Sequence, residues 1–239
     1  MKIILVLLLL CSGFVEISAQ TVALEKAALT VQYQSGKLTN EEVQKKKKQL
    51  DALIAEGFFD QVPYDSSSKK IILHSVIDLP GMMKKQIITR IKEWCAIHYG
   101  NINAVMHYSD DENGKIIIKG WFPVQYKETY TGWFGLQNVI TPEVKCWHTI
   151  SFTVKDSKMK MVYEDLHYEL TYGGYSVGGT YIPRTTAELY MDWVFPIIDN
   201  TPETYQGRIN LIKDTFTQVT ANRESLRKYI LFARDDYGF

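Results

Sequence analysis

Hydrophobic and polar positions alternate with two different periods along this chain, and the changes of period divide it. Leu24, Ala28 and Val31 recur at helical spacing until Ser35-Gly36 breaks the run. Val43, Lys47, Leu50 and Ile54 then share one face of a second helix ending before Gly57. Its start is marked by Thr39-Asn-Glu-Glu42. There the threonine hydroxyl accepts a backbone amide of the first turn, and the Glu42 carboxylate reaches back to the Thr39 amide.

From Ile71 to Asp78 the residues are densely apolar between Ser66-Ser-Ser68 and Pro80, which predicts a strand. Past Pro80-Gly81, Met83, Ile87, Ile91 and Trp94 form a helical stripe with Ile88 and Cys95 beside it, and Gly100 ends the helix. Residues 103–108 and 115–122 flank a turn at Asn113-Gly114, and residues 145–155 and 158–163 flank Asp156-Ser157, which predicts two hairpins. The order is therefore β-α-β-β-β-β, with a long insertion from Pro123 to Val144. A late helical segment from about Thr204 to Phe232 carries Ile209, Ile212, Phe216 and Val219 at core-facing spacing.

Alternation also sorts the strands into two faces. Ile116, Ile118 and Phe122 oppose Lys119 and Trp121; Cys146, Ile150, Phe152 and Val154 oppose Trp147, Thr149, Ser151 and Thr153. In the last strand Met159, Met161 and Tyr163 oppose Lys160, Val162 and Glu164. The first set is the expected core under the helices. The second set, with hydroxyls, charges and two tryptophans, is the expected face left partly open. The insertion adds Tyr126, Tyr130, Trp133 and Phe134. Trp121, Trp147, Lys119, Tyr126, Tyr130 and Trp133 are accordingly the candidate ligand-binding residues, for a glycan, a peptide or an apolar small molecule. The alternative is that the insertion or the N-terminal helices cover these aromatics.

Composition narrows the function classes. Of 239 residues, 46% are hydrophobic and 23% charged, as in an ordinary globular chain. A single domain of this size buries roughly 70% of its unfolded surface and needs neither metal nor disulfide to fold. Lys plus Arg and Asp plus Glu are both 27. This balance speaks against nucleic acid, which is bound largely through a basic excess. Lys45 to Lys48 point all round their helix and make no single anionic-surface site.

Lys2, the apolar run Ile3 to Leu10 and Ser18-Ala-Gln20 form a signal-peptide pattern over residues 1–20. The apolar run is too short to span a bilayer, so no transmembrane span is expected after cleavage. Cys11 follows bulky Leu10, not the small residue of a lipobox. The expected location is periplasmic or secreted, and export leaves Cys95 and Cys146 in an oxidising compartment. Both face one core by periodicity. They are either a disulfide or two buried thiols, because a shared face does not establish the close Cα approach a bridge requires.

Catalytic patterns are poorly supported. Gly174-Tyr-Ser176-Val-Gly178 fits G-x-S-x-G, but the last histidine is His167, so the Ser-acid-His order is impossible, and Gly179-Thr-Tyr-Ile-Pro183 is a poor helix start. The same glycines lack a following Lys-Ser/Thr for a phosphate loop. Glu164, Asp165, His167 and His148 are near one another, but strict alternation separates Glu164 from Asp165 and turns His148 into the core. No metal-ligand spacing motif is present, and no cofactor is expected.

Two resemblances extend this reading. The segment from Tyr33 to Leu50, with its glycine, Leu38-Thr-Asn-Glu-Glu42, Val43 and lysine-rich helix, resembles the short helical hairpin called SHOCT, although Val43 stands where that family often has phenylalanine. The resemblance implies a docking or homo-oligomerisation element over residues 21–60. Val76-Ile-Asp-Leu-Pro-Gly81, the helix ending at Trp94, Ile116-Ile-Ile-Lys-Gly-Trp121, and Ile150-Ser-Phe-Thr-Val-Lys-Asp156 running into Lys160-Met-Val-Tyr163 resemble the exported bacterial family called domain of unknown function 4468. That resemblance implies an α+β fold like TATA-binding protein: a curved antiparallel sheet with helices on one face, over residues 66–172. A glycine-rich loop and helical extension follow at 173–239. It carries no catalytic residue and no DNA function. Together these readings favour a non-enzymatic binding or envelope-interaction protein, with glycan, peptide or envelope protein as partner. The second reading is a hydrolase using carboxylates such as Asp165 and Glu164.

Overall fold

The computed structural model describes residues 21–60, 62–65, 70–131, 137–177, 180–197 and 202–232. The export pattern, Trp133 and Phe134 lie outside them. The chain forms two compact units whose segments interleave in sequence.

The first unit comprises residues up to 72 together with 126–141 and 189–211. Helix α1 (residues 21–34) precedes α2 (Asn40–Ala55), and the predicted capping box closes α2. The Thr39 amide donates to Glu42 Oε2 at 2.8 Å, and the Glu42 amide donates to Thr39 Oγ1 at 3.3 Å. These bonds and the neighbouring lysine Lys46 hold the Glu42 carboxyl below its ordinary range, the backbone bond contributing most. Leu50 and Leu53 of α2 are buried, as are Phe58 and Phe59 in the 3-10 turn that follows. The short pair β1 (Tyr64–Asp65) and β2 (Lys70–Ile71) is tied to a later turn by the Ile71 amide, which donates to Asp192 Oδ1 at 2.9 Å. Two hairpin strands from the insertion, β6 (Glu128–Thr131) and β7 (Gln137–Ile140), pair with one another. Tyr64 stacks on Phe195, and the buried Glu25 carboxylate of α1 accepts from the Ile197 amide.

The second unit, 73–125, 142–188 and 212–232 among the described residues, holds the sheet. Its order follows the predicted β-α-β-β-β-β: β3 (Leu73–Asp78), α3 (Lys84–Tyr99), a single helical turn α4 (Ile102–Val105), β4 (Met106–Asp110), β5 (Lys115–Val124), β8 (Glu143–Lys155) and β9 (Lys158–Tyr172). In space the strands run β12-β9-β8-β5-β4, with β3 also on β9 and β12 spanning Thr185–Tyr190. The predicted strand from 71 to 78 is broken at Ile72, where β2 ends and β3 begins. Helix α5 (Pro202–Phe232) supplies Ile212, Phe216, Val219 and Leu226 to the core of this unit, and its Ser225 hydroxyl accepts from Trp94 Nε1 of α3 at 3.2 Å. Helices therefore cover one sheet face, as expected of a TBP-like α+β fold.

The Asp78-Leu-Pro-Gly81 stretch is held by the β8–β9 turn. The Leu79 amide donates to the Ser157 carbonyl and the Ser157 amide to the Met82 carbonyl, each at 2.8 Å. Asp156 of the same turn accepts from the Lys84 amide at 2.7 Å, satisfying a donor at the start of α3. Leu79 is fully buried between these contacts.

Burial follows the predicted parity until β9 passes Tyr163. Met159, Met161 and Tyr163 are buried, but so are Leu166, Tyr168 and Leu170, which have the opposite parity. The cause is a bulge: Thr149 pairs with Glu164 and Trp147 with His167, so Asp165 and Leu166 together oppose His148. Asp165 takes a left-handed φ of 56° to accommodate the extra residue. Strict alternation was therefore the wrong assumption for Glu164 and Asp165, and the predicted strand end at 163 is extended to 172. Both carboxylates bond hydroxyls of the open face: Thr149 Oγ1 donates to Asp165 at 3.3 Å and Ser151 Oγ to Glu164 at 2.9 Å.

Where G-x-S-x-G would need strand-to-helix geometry, β10 (Tyr175–Val177) instead pairs in a hairpin with β11 (Thr180–Ile182). Gly120 permits a close approach in the sheet: a Cβ there would lie 2.5 Å from the Tyr99 ring. Gly120→Ala is therefore expected to destabilise the protein by about 1–3 kcal/mol, the usual cost of overpacking, read from urea unfolding. Unchanged stability would show that Tyr99 yields freely.

Candidate functional site

On the open face, the β5–β8–β9 register aligns Trp121, Trp147 and His167 in one row, and Pro123, Lys145 and Glu169 in the next. Trp147 stacks on His167 with ring centroids 6.4 Å apart, and its Nε1 donates to Glu169 at 3.3 Å. Lys145 bonds Glu169 at 3.1 Å and lies 5.2 Å over the Trp121 ring, a cation–π arrangement. That lysine bond is the first cause holding the Glu169 carboxyl below its ordinary range. Trp147 is half-buried, while Trp121 keeps 43% of its surface exposed.

A cleft of about 500 Å³ opens beside these tryptophans where β5 loses its outer neighbour. Strand β4 pairs with β5 only as far as Met106 opposite Ile118. Beyond that point the edge of β5 is lined by α4 on one side and by Gln218 and Asn222 of α5 on another, with His98 and Tyr99 closing the end of α3. The cleft brings together Lys119, Trp121 and Trp147, three of the six predicted residues. Tyr126 lies elsewhere: it is 4% exposed in the first unit, with the Arg208 guanidinium 5.9 Å over its ring. Tyr130 belongs to β6, and its side chain, like Trp133, is outside the described residues.

His98, Tyr99, Gln218 and Asn222 were not anticipated. A signal for Asn222 exists in the sequence. Thr215, Val219, Asn222 and Leu226 recur at core spacing in α5, so a carboxamide stands in a buried stripe. Asn222 is 6% exposed, and among the described residues its Nδ2 has no hydrogen-bond partner of standard geometry. The neighbouring Tyr163 hydroxyl is in the same position; burial pushes its pKa up and Asn222 partly offsets this.

Under the cleft lies a buried polar chain. Tyr99 Oη and His148 Nε2 are 2.9 Å apart, and His148 Nδ1 is 3.3 Å from the Cys146 carbonyl. A carbonyl can only accept, so Nδ1 carries the proton and Nε2 accepts from the tyrosine. His148 stacks on Phe122 at 4.9 Å and is 3% exposed, as its core parity predicts. Burial first, then repulsion from His98, push its pKa down to about 4 against the opposing Cys146 bond. Cys95 and Cys146 are both buried free thiols; burial pushes Cys95 up to about 12 and Cys146 higher still. Among the described residues no three His, Cys, Asp or Glu side chains are grouped to hold a metal ion. No helix among them is long and apolar enough to cross a membrane.

Sheet, covering helices and edge cleft define an α+β domain of TBP-like architecture. Residues 74–169 match the family described as "Domain of unknown function (DUF4468) with TBP-like fold". A search of curated proteins found no match. Among solved structures, the chain is similar to a DUF4468 family protein from Bacteroides ovatus at 12% identity, covering 70% of this chain and 90% of that one with a TM-score of 0.46. It is also similar to a TBP-like protein from Parabacteroides distasonis at 14% identity, covering 71% and 97% with a TM-score of 0.48.

The His148 environment generates a prediction with a definite sign. The folded state holds the ring neutral, whereas the unfolded chain protonates it near 6.5. Stability is therefore full above pH 6.5 and falls as the pH drops towards 4, by about 3 kcal/mol from this group. Urea unfolding between pH 4 and 8 should show this slope, and His148→Phe should flatten it while lowering stability at pH 8 through the orphaned Tyr99 hydroxyl. An identical slope in the variant would rule out His148 as its source.

Proposed function

We propose that this chain is an exported ligand-binding protein whose binding site is the cleft at the outer edge of β5. One observation carries the reading: an exposed indole, a second indole beside it and a lysine converge on a cleft of about 500 Å³. That volume falls in the range of small-ligand sites, roughly 300–1,000 Å³. The Lys2, Ile3–Leu10 and Ser18-Ala-Gln20 pattern supports export to the periplasm or beyond. Glycans, peptides and envelope proteins are the partner classes such a surface suits. Self-association through residues 21–60 belongs to the same proposal, supported by the formed capping box of α2.

A hydrolytic reading has one observation in its favour, the bulge that turns Glu164 and Asp165 towards the same face. Their engagement by Ser151 and Thr149 favours a scaffold role for them. Asp165→Asn is expected to leave no hydrolytic activity to lose in a broad substrate screen; activity present in the native chain and abolished in the variant would replace the binding proposal.

Titration of the protein with soluble glycans, short peptides and lipid vesicles, followed by tryptophan emission, tests the site. A saturable change is expected for one class. Trp121→Ala should weaken that binding by about tenfold or more, the scale of an interface anchor. Emission indifferent to all three classes would remove the cleft as a binding site.

A further inference from the structure

The hydrogen-bonding groups of β5 indicate what kind of ligand the cleft takes. The Val154 amide donates to the Gly114 carbonyl at 2.7 Å, and the β5–β8 register runs without a shift from Lys115 to Val124. In an antiparallel pair, successive residues direct their amide and carbonyl to alternate sides. Even-numbered residues of β5 therefore face β8, and Lys119, Trp121 and Pro123 direct theirs to the outer edge.

That edge is limited at both ends. Strand β4 covers it as far as Ile118. At the other end Pro123 has no N–H to offer, and the outward amide of Gln125 already donates to Asp214 of α5 at 2.8 Å. Between them lies a window centred on Trp121, whose outward amide and carbonyl have no neighbouring strand among the described residues. The cleft occupies this window.

We infer that the cleft binds a short extended peptide, which adds to β5 as an outer strand opposite Lys119 to Pro123. This rests on the cleft being the binding site. One peptide residue supplies the acceptor and donor that Trp121 needs, and the residue two positions along offers an amide to the Pro123 carbonyl. The Trp121 ring covers the strand from the open face. A second copy of this chain suits the window less well, because its own β5 edge is flanked by the same α4 and α5 residues.

The probe is a phage-displayed library of random linear nonapeptides, from which one enriched sequence is synthesised. Its affinity is measured for the native protein, Trp121→Ala and Trp121→Pro. The proline variant loses the outward amide, as Pro123 already does, without a bond to β8. Strand addition predicts binding to Trp121→Pro weaker than to Trp121→Ala by about fivefold or more. It also predicts that the native Trp121 amide exchanges hydrogen at least about tenfold more slowly with peptide bound, a readout that stands if the proline variant does not fold. Equal affinities with an unprotected amide would overturn strand addition; if Trp121 emission still responds to the peptide or to a glycan, the cleft stands and only the mode of binding falls. No enriched peptide, or a peptide copying residues 115–124 binding best with the protein dimerising, would also overturn it.

Discussion

The buried face of β9 depends on one residue being taken up in a bulge. Its two halves have opposite parity, and only the Asp165 bulge allows both to bury their apolar side chains on the helical side. Met159, Met161 and Tyr163 precede it; Leu166, Tyr168 and Leu170 follow it. Were the same residues paired as a regular strand, continuous alternation would turn one of these sets to the open face. Each such side chain contributes roughly 1.5–3 kcal/mol by burial, and three of them approach the whole stability of a typical domain, about 5–15 kcal/mol. The left-handed backbone at Asp165 is a small cost beside that.

The same bulge arranges the open face. It sets His167 beside Trp147 and Glu169 beside Lys145, and the latter pair positions the lysine over Trp121. On the other side it leaves His148 opposite two residues of β9, where the ring meets Tyr99, Phe122 and Tyr163. Tyr99 in turn lies against Gly120 of β5. The wall of the cleft is thus supported from below by a packed, hydrogen-bonded core, so the exposed Trp121 sits on a rigid strand and not on a mobile loop.

Much of this was legible in the sequence because short-range chemistry decided it. Thr39 and Glu42 announced the start of α2, Asn113-Gly114 the β4–β5 hairpin, and simple alternation the buried faces of β5 and β8. Lys119, Trp121 and Trp147 were placed on one face by the same rule. The bulge was not legible, since Glu164-Asp-Leu166 differs from a regular strand only by an aspartate in a left-handed conformation. The remainder of the cleft was hidden for another reason. His98, Gln218 and Asn222 arrive from helices far along the chain, and periodicity reports which side of a helix is buried but not which neighbour it meets. Tyr126 shows the reverse error: an aromatic residue in an insertion read as surface, yet buried within the first unit.

The most direct test of this account is the unfolding free energy of two variants at Asp165. Asp165→Gly keeps the extra residue and removes the left-handed strain, so its stability should lie within about 1 kcal/mol of the native protein, the gain in backbone fit set against the lost Thr149 bond. Asp165→Val opposes the left-handed backbone on which the bulge depends, and should lower the unfolding free energy below that of Asp165→Gly by about 1–2 kcal/mol. An Asp165→Val variant as stable as Asp165→Gly would contradict the dependence of the two buried sets, and of the cleft beside them, on a left-handed bulge at that residue.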